Sequence, residues 1–226
     1  VTNLSGEVRV TRLVALQHAE PAALRAGLDA VWAADEAALP LDPTAPDHQV
    51  ARLLTDLRPA ELRTDAGAHP TGHDVPVPAG TAVVVTTSGS TGAPRGIVLS
   101  HEALDTATRL SRAQLGAQDG VPWLGVLPLH HVAGISVLLR SRAAGREPAL
   151  HRRDTPEVVA TAEPSWISLV PTQLRRLLDA EVDLARHHGV LLGGGAAPAD
   201  LLSRAAARGV HVVTSYGATE TCGGCV

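Results

Sequence analysis

The stretch Thr86-Thr87-Ser88-Gly89-Ser90-Thr91-Gly92-Ala93-Pro94-Arg95-Gly96 holds the densest set of groups able to do chemistry in this chain. Glycines let a backbone approach a ligand closely, and the N–H groups of such a turn cradle anions. The interleaved hydroxyls are neutral donors, and Arg95 adds a fixed positive charge that forks onto phosphate oxygens. The spacing is not that of the common G-x-x-x-x-G-K-[ST] phosphate loop. Thr87, Ser88, Gly89, Ser90, Thr91, Gly92 and Arg95 stand as phosphate ligands in the functional reading. The plainer reading is a solvated polar turn.

Thr214-Ser215-Tyr216-Gly217-Ala218-Thr219-Glu220 offers an aromatic face, a tight turn, a hydroxyl and a carboxylate. Such a set can stack a base, bond a phosphate and hold Mg²⁺, a hard cation that prefers oxygen. Its plain alternative is a surface turn with a packed tyrosine. Leu191-Leu192-Gly193-Gly194-Gly195-Ala196-Ala197-Pro198 supplies small residues past which a ligand can approach backbone, although glycine after a strand is commonly just a turn. Leu127-Pro128-Leu129-His130-His131-Val132-Ala133-Gly134 carries adjacent histidines, a pattern more often structural than metal-binding. Arg140, six residues beyond Gly134, can reach a carboxylate bidentately, but an ordinary helix-surface arginine is the favoured expectation. Cys222 and Cys225 have C-x-x-C spacing without a second pair, so small pocket-lining residues are expected rather than a zinc or redox site.

The elements needed to position these groups are legible from punctuation and periodicity. Helices are expected over 21–39 and 47–57, and a Pro/Gly/His-rich loop over 65–80. From 81 onward strands and helices alternate. Strand 82–87 leads into the first loop, and Ser100 caps a helix that runs to about 115 before Gly116. Strands at 123–127, 166–170, 190–192 and 210–214 are separated by helices at 134–143, 172–180 and 198–208, with a short helix starting at Thr155-Pro156. Alternation of this kind argues an α/β fold, with mostly parallel sheets covered by helices and ligands bound beyond the carboxyl ends of strands.

Composition bounds the rest. The 226 residues are 45% hydrophobic and carry a net charge of −4, enough for a packed core and no electrostatic footprint for nucleic acid or an acidic membrane. No apolar run approaches the ~20 residues of a membrane span, and no signal-peptide pattern opens the chain, so a soluble cytoplasmic protein is expected. All 19 basic residues are arginine; any role that a relative gives to lysine falls here to arginine or lies outside the chain.

The string T-S-G-S-T-G-x-P-[KR]-G resembles the signature of the adenylate-forming superfamily of acyl-CoA synthetases and luciferase-like enzymes, in which this loop holds the β- and γ-phosphates of ATP. Y-G-A-T-E is similar to the family's second adenylation motif. By that resemblance Tyr216 stacks on adenine, Thr219 touches the α-phosphate and Glu220 helps hold Mg²⁺, with Ser215 and Gly217 beside them. Gly194, Gly195, Ala196 and Ala197 resemble the segment lining the adenine pocket. His131 resembles the P-x-x-H histidine that orients or gates the reacting carboxylate, with Gly134, Ser136, Arg140 and Gly217 on the acyl side. The catalytic set so implied is His131, Arg95, Thr219 and Glu220.

Two segments, L-P-L-H-H-V-A-G-I-S-V-L-L-R-S and Y-G-A-T-E-T-C-G-G-C-V, look like the 2-succinylbenzoate–CoA ligases of menaquinone biosynthesis in their actinobacterial form. The implied chemistry is activation of a carboxylate by ATP and Mg²⁺ to an acyl-adenylate, then displacement of AMP by coenzyme A. Another acyl- or aryl-CoA synthetase, or a nucleotide-binding module without catalysis, is the alternative. The implied organisation is a partial N-terminal adenylation core over 1–226, with a leading helical and loop region to residue 80 and a nucleotide- and acyl-binding α/β region over 81–226. The expected partners are the small carboxylate, ATP and CoA, with a homodimer allowed. Two departures stand out: Arg95 occupies the usual lysine position, and the chain ends before the family's C-terminal lid. A truncated piece with little complete ligase activity is therefore expected.

Overall fold

The computed structural model describes residues 9–88 and 94–224. The chain divides into two compact units, one running up to Ala103 and including Leu129–His131, the other formed by Leu104–Pro128 and the residues from Val132 onward.

In the first unit, β1 (Val10–Thr11), β2 (Leu13–Gln17), α1 (Pro21–Ala33), β3 (Ala37–Pro40), α2 (Asp47–Leu57), β4 (Glu61–Thr64), β5 (Gly67–Pro70), β6 (Val77–Pro78), β7 (Thr81–Ser88) and β8 (Pro94–Ser100) follow in order. Six of these strands form one sheet in the order β5-β4-β2-β3-β7-β8. β2 runs parallel to β3 and β4, and β3 parallel to β7, while β5 and β8 close the edges antiparallel. The central strands are buried throughout, which is why Leu-Val-Ala-Leu and Ala-Ala-Leu-Pro read as continuous apolar runs without alternation.

The expected helix over 21–39 is corrected here. It stops at Ala33, Asp35 turns the chain at φ 58°, and the following residues form the buried strand β3. The leading region, read as helix and loop, contains strands β1 to β6. Short apolar runs of this kind cannot be told from helix by periodicity; pairing across the sheet decides them. Helix α2 lies where its pattern placed it.

Helix α3 (His101–Leu115) begins in the first unit and continues in the second, where β9 (Trp123–Gly125), α4 (Val132–Ala143), β10 (Ala149–Leu150), α5 (Pro156–Thr161), β11 (Trp166–Leu169), α6 (Pro171–Asp179), β12 (Gly189–Leu192), α7 (Ala199–Ala207) and β13 (Val212–Thr214) follow. A terminal hairpin, β14 (Gly217–Ala218) and β15 (Gly223–Gly224), encloses a 3₁₀ turn over Thr219–Thr221. The main sheet is wholly parallel in the order β10-β9-β11-β12-β13.

Both faces of that sheet are covered. Ile167, Leu169, Val190 and Leu192 pack with Leu174, Leu177, Leu178 and Leu201 of α6 and α7, each such side chain contributing on the order of 2 kcal/mol. Trp166 and Leu191 face the other way, toward Trp123 and Val137. Local chemistry sets the helix starts. The Ser100 hydroxyl accepts the Ala103 N–H at 3.1 Å, and Thr155 accepts the Val158 N–H at 3.3 Å. Among the described residues no helix is long and apolar enough to cross a membrane.

Candidate nucleotide and acyl site

In the first unit, β7 and β8 form an antiparallel hairpin that sets Thr86 opposite Gly96 and Thr87 opposite Arg95. Arg95 is exposed at the end of this ladder. A Cβ on Gly96 would lie 2.8 Å from side-chain atoms of Leu57 and Val84, so the strand beside Arg95 is seated tightly on the unit. Gly89, Ser90, Thr91 and Gly92 lie outside the described residues, as does the side chain of Ser88.

The same unit holds the two histidines. Leu129 is buried and anchors the loop that carries them. The rings of His130 and His131 stand 4.3 Å apart, and His130 Nε2 lies 3.9 Å from Asp42 Oδ2. Burial pushes the His130 imidazole down to about 4, so it is neutral at physiological pH. His131 is exposed at the surface; partial desolvation by its neighbours still lowers it, while the Asp42 charge pulls it back up. Asp42 itself is held below the usual carboxylate range. Burial raises it, but the N–H and hydroxyl of Thr44 and the two histidines together lower it further.

In the second unit the loops after β12 and β13 meet. The Ser215 N–H donates to Leu192 O at 2.8 Å, and a Cβ on Gly193 would lie 2.6 Å from Ser215 Oγ. Gly194, Gly195 and Ala196 are exposed beside this contact, Ala197 is half-buried, and Tyr216 is 77% exposed.

Gly217 brings β14 against β15 so closely that a Cβ there would lie 1.8 Å from Gly223 O. Thr221, which drew no notice in the sequence, staples the turn. Its hydroxyl oxygen accepts the Ala218 N–H at 2.9 Å and lies 2.8 Å from the Gly223 carbonyl that it faces. The turn presents Thr219 half-buried and Glu220 exposed. One exposed carboxylate suits Mg²⁺, which takes one or two protein carboxylates and completes its shell with water and substrate phosphates. Among the described residues no group of three His, Cys, Asp or Glu side chains forms a self-sufficient metal site.

Helix α4 carries Gly134, Ser136 and Arg140, the residues expected on the acyl side. Gly134 sits where a Cβ would lie 2.2 Å from Pro128 O, so the helix start is pressed onto the Leu127-Pro128 backbone. The Ser136 hydroxyl donates to Val132 O at 2.8 Å and lies 3.4 Å from Cys222 O. Cys222 is buried in a left-handed turn, and burial pushes its thiol up, away from the reactive thiolate. Cys225 lies outside the described residues.

Arg140 corrects the helix-surface expectation, for it is only 4% exposed. Its guanidinium stands 5.2 Å over the Trp123 ring, and Nε donates to Ser111 Oγ at 2.9 Å. Desolvation pushes it down to about 10, which leaves it charged at neutral pH. Neither of these partners is a carboxylate.

Asp42, Ser111 and Trp123 were not singled out in the sequence. Asp42 had a local signal, the Asx turn of Asp42-Pro43-Thr44, in which Oδ1 accepts the Thr44 N–H at 2.8 Å. Nothing local links it to His130.

A parallel α/β unit with a glycine turn, an exposed tyrosine and an exposed carboxylate beyond its strands suits a bound nucleotide. The model of the AMP-binding enzyme family matches residues 14–226, and the chain belongs to that family. Over 157 residues, 64% of this chain and 40% of the relative, it is 39% identical to a probable 2-succinylbenzoate–CoA ligase of Mycobacterium tuberculosis. It is also similar to the o-succinylbenzoate CoA synthetase of Bacillus subtilis. The complex of that enzyme with its acyl-adenylate intermediate matches with a TM-score of 0.84 and 26% identity, covering 97% of this chain and 65% of that one. The complex with ATP and magnesium matches with a TM-score of 0.83 and 27% identity, covering 97% and 52%. The chain thus spans about two fifths of the length of the curated mycobacterial relative.

Proposed function

We propose that the protein to which this chain belongs activates 2-succinylbenzoate with ATP and transfers the acyl group to coenzyme A. The observation that carries the choice of substrate is the buried, charged Arg140 on α4, nine residues after His131. 2-Succinylbenzoate has two carboxylates, one to react and one to be held. A desolvated guanidinium suits the second, and a monocarboxylic acid would leave it without a carboxylate partner from the substrate. The similarity to 2-succinylbenzoate–CoA ligases supports the same choice.

In this reading Tyr216 stacks on the adenine, and the exposed backbone of Gly194, Gly195 and Ala196, with Ala197, borders it. Ser215 and Gly217 shape that edge, Thr219 bonds the α-phosphate, and Glu220 holds Mg²⁺, which neutralises phosphate charge when bound. Thr87, Arg95 and the hydroxyl and glycine loop between them take the β- and γ-phosphates. His131 orients the succinyl carboxylate, while Gly134 and Ser136 line the acyl side with Arg140. That carboxylate is already ionised and attacks the α-phosphorus without a protein nucleophile, so catalysis is positioning plus charge neutralisation. Pyrophosphate leaves; the CoA thiol sulfur then attacks the acyl carbon and AMP departs. We place the reaction in the cytoplasm, where ATP and CoA are available.

The test is ATP–pyrophosphate exchange by the full-length gene product against a panel of carboxylic acids. Exchange driven selectively by 2-succinylbenzoate is expected. Exchange driven by a monocarboxylic acid instead would overturn the substrate assignment, and no exchange with any acid would overturn the activity.

A further inference from the structure

We propose that Asp42 is a positioning residue for His131, acting both through the His130 ring and through its own field, an inference that rests on the carboxylate-orienting role proposed for His131. Asp42 follows β3 by two residues and is fixed at its base: Oδ1 accepts both the N–H and the hydroxyl of Thr44, at 2.8 and 2.7 Å. That leaves Oδ2 as the atom directed at His130 Nε2, 3.9 Å away. Both ends of the contact are anchored in apolar packing, since Leu41 before Asp42 is 1% exposed and Leu129 before His130 is 3% exposed. The His130 ring, its side chain 14% exposed, then lies against the His131 ring with planes inclined at 54°.

A neutral imidazole beside a fixed carboxylate favours the tautomer that carries its proton toward that carboxylate. At 3.9 Å this preference is electrostatic and not a hydrogen bond, and it biases the orientation of the His130 ring, on which the His131 ring packs. The Asp42 charge also favours the protonated form of both rings, so its field reaches the His131 imidazole directly. A histidine that must meet a substrate carboxylate gains from both effects: a biased ring orientation, and a basicity partly restored against desolvation.

The experiment follows the imidazole resonances of the 226-residue chain by NMR titration in the parent, Asp42→Asn, His130→Phe and the double variant. Asn keeps an oxygen for the Thr44 bonds, and Phe keeps a ring against His131, so neither removes the local packing. In the parallel arm, full-length Asp42→Asn and Asp42→Glu are assayed by pyrophosphate exchange. Asp42→Asn is expected to lower the His131 pKa and shift its ring resonances, with a smaller resonance shift when His130→Phe is also present. It is also expected to raise KM for the carboxylic acid several-fold while leaving KM for ATP unchanged, with Asp42→Glu restoring much of the loss. A His131 titration indifferent to Asp42→Asn overturns the proposal. So does a resonance shift of the same size with and without His130→Phe, or an equal rise in both KM values. Failure of the parent enzyme to exchange pyrophosphate would sink the proposed function instead, and the NMR arm would still decide whether Asp42 controls His131.

Discussion

Arg140 puts function and stability in opposition. Its guanidinium is taken out of water, compensated by the face of Trp123 and the hydroxyl of Ser111. The downward pKa shift has a definite sign: the folded state disfavours the charged form relative to the unfolded chain, so at neutral pH this charge works against folding. Replacing a buried charge with an apolar side chain of similar length is often neutral or stabilising. Arg140→Met is therefore expected to raise the stability of the chain by on the order of 1–3 kcal/mol in urea unfolding. In the full-length enzyme the same substitution is expected to abolish exchange driven by 2-succinylbenzoate. A destabilised variant with normal exchange would show that Arg140 is a packing residue only.

Helix α4 and the β14–β15 hairpin depend on close backbone approach, and each dependence is testable separately. Gly134→Ala places a methyl group against the Pro128 carbonyl, which no rotamer can relieve. The start of α4 must shift, at an expected cost of about 3 kcal/mol in urea unfolding. Gly217→Ala meets the Gly223 carbonyl in the same way, but the hairpin is a small terminal element with little core of its own. There the expected outcome is a change in Tm within ~2 °C and a loss of AMP affinity of at least about tenfold by calorimetric titration. Unchanged AMP binding would detach this hairpin from the nucleotide site.

Acid should weaken the molecule in two stages. A histidine with a depressed folded-state pKa is neutral in both states above about pH 6.5, where it costs nothing. As pH falls from there, the unfolded chain takes a proton that folded His130 refuses until about 4, so stability declines across that window. His131 and His187 shift in the same direction. Glu61 is lowered first by its bond from Arg63, and Asp65 first by the Ala19 N–H. Their contribution is present above their ordinary pKa values of 4.5 and 3.8, and is lost as pH falls through the folded values. Tm measured against pH is expected to be flat near neutrality, to fall from about pH 6.5 and to steepen below about 4.5. His130→Phe should flatten the first stage. A first stage of unchanged depth in that variant would contradict the assignment to His130.

Four strands of the second unit's sheet were readable in advance because they are apolar runs bounded by Gly, Pro and capping residues at Ser100 and Thr155, all local signals, whereas the two-residue edge strand β10 was not. β2 and β3 were not, because a run such as Ala37–Pro40 acquires its strand character only from the neighbours on either side of it. The motifs around Thr87, Arg95, Gly194, Tyr216 and Glu220 pointed by resemblance to the family whose model matches residues 14–226. Burial was not legible. Val132, Ile135, Val137, Leu138, Arg140 and Ser141 are buried nearly all around α4, so the rule that a polar residue marks a solvent face failed at Arg140. The pairing of Asp42 with His130 joins residues far apart in the chain and had no trace in spacing. Residue type and local spacing thus set which groups are available and which elements carry them. Which charge loses its water, and which carboxylate faces which imidazole, was decided by long-range packing, because desolvation and Coulomb interaction act through space and not along the chain.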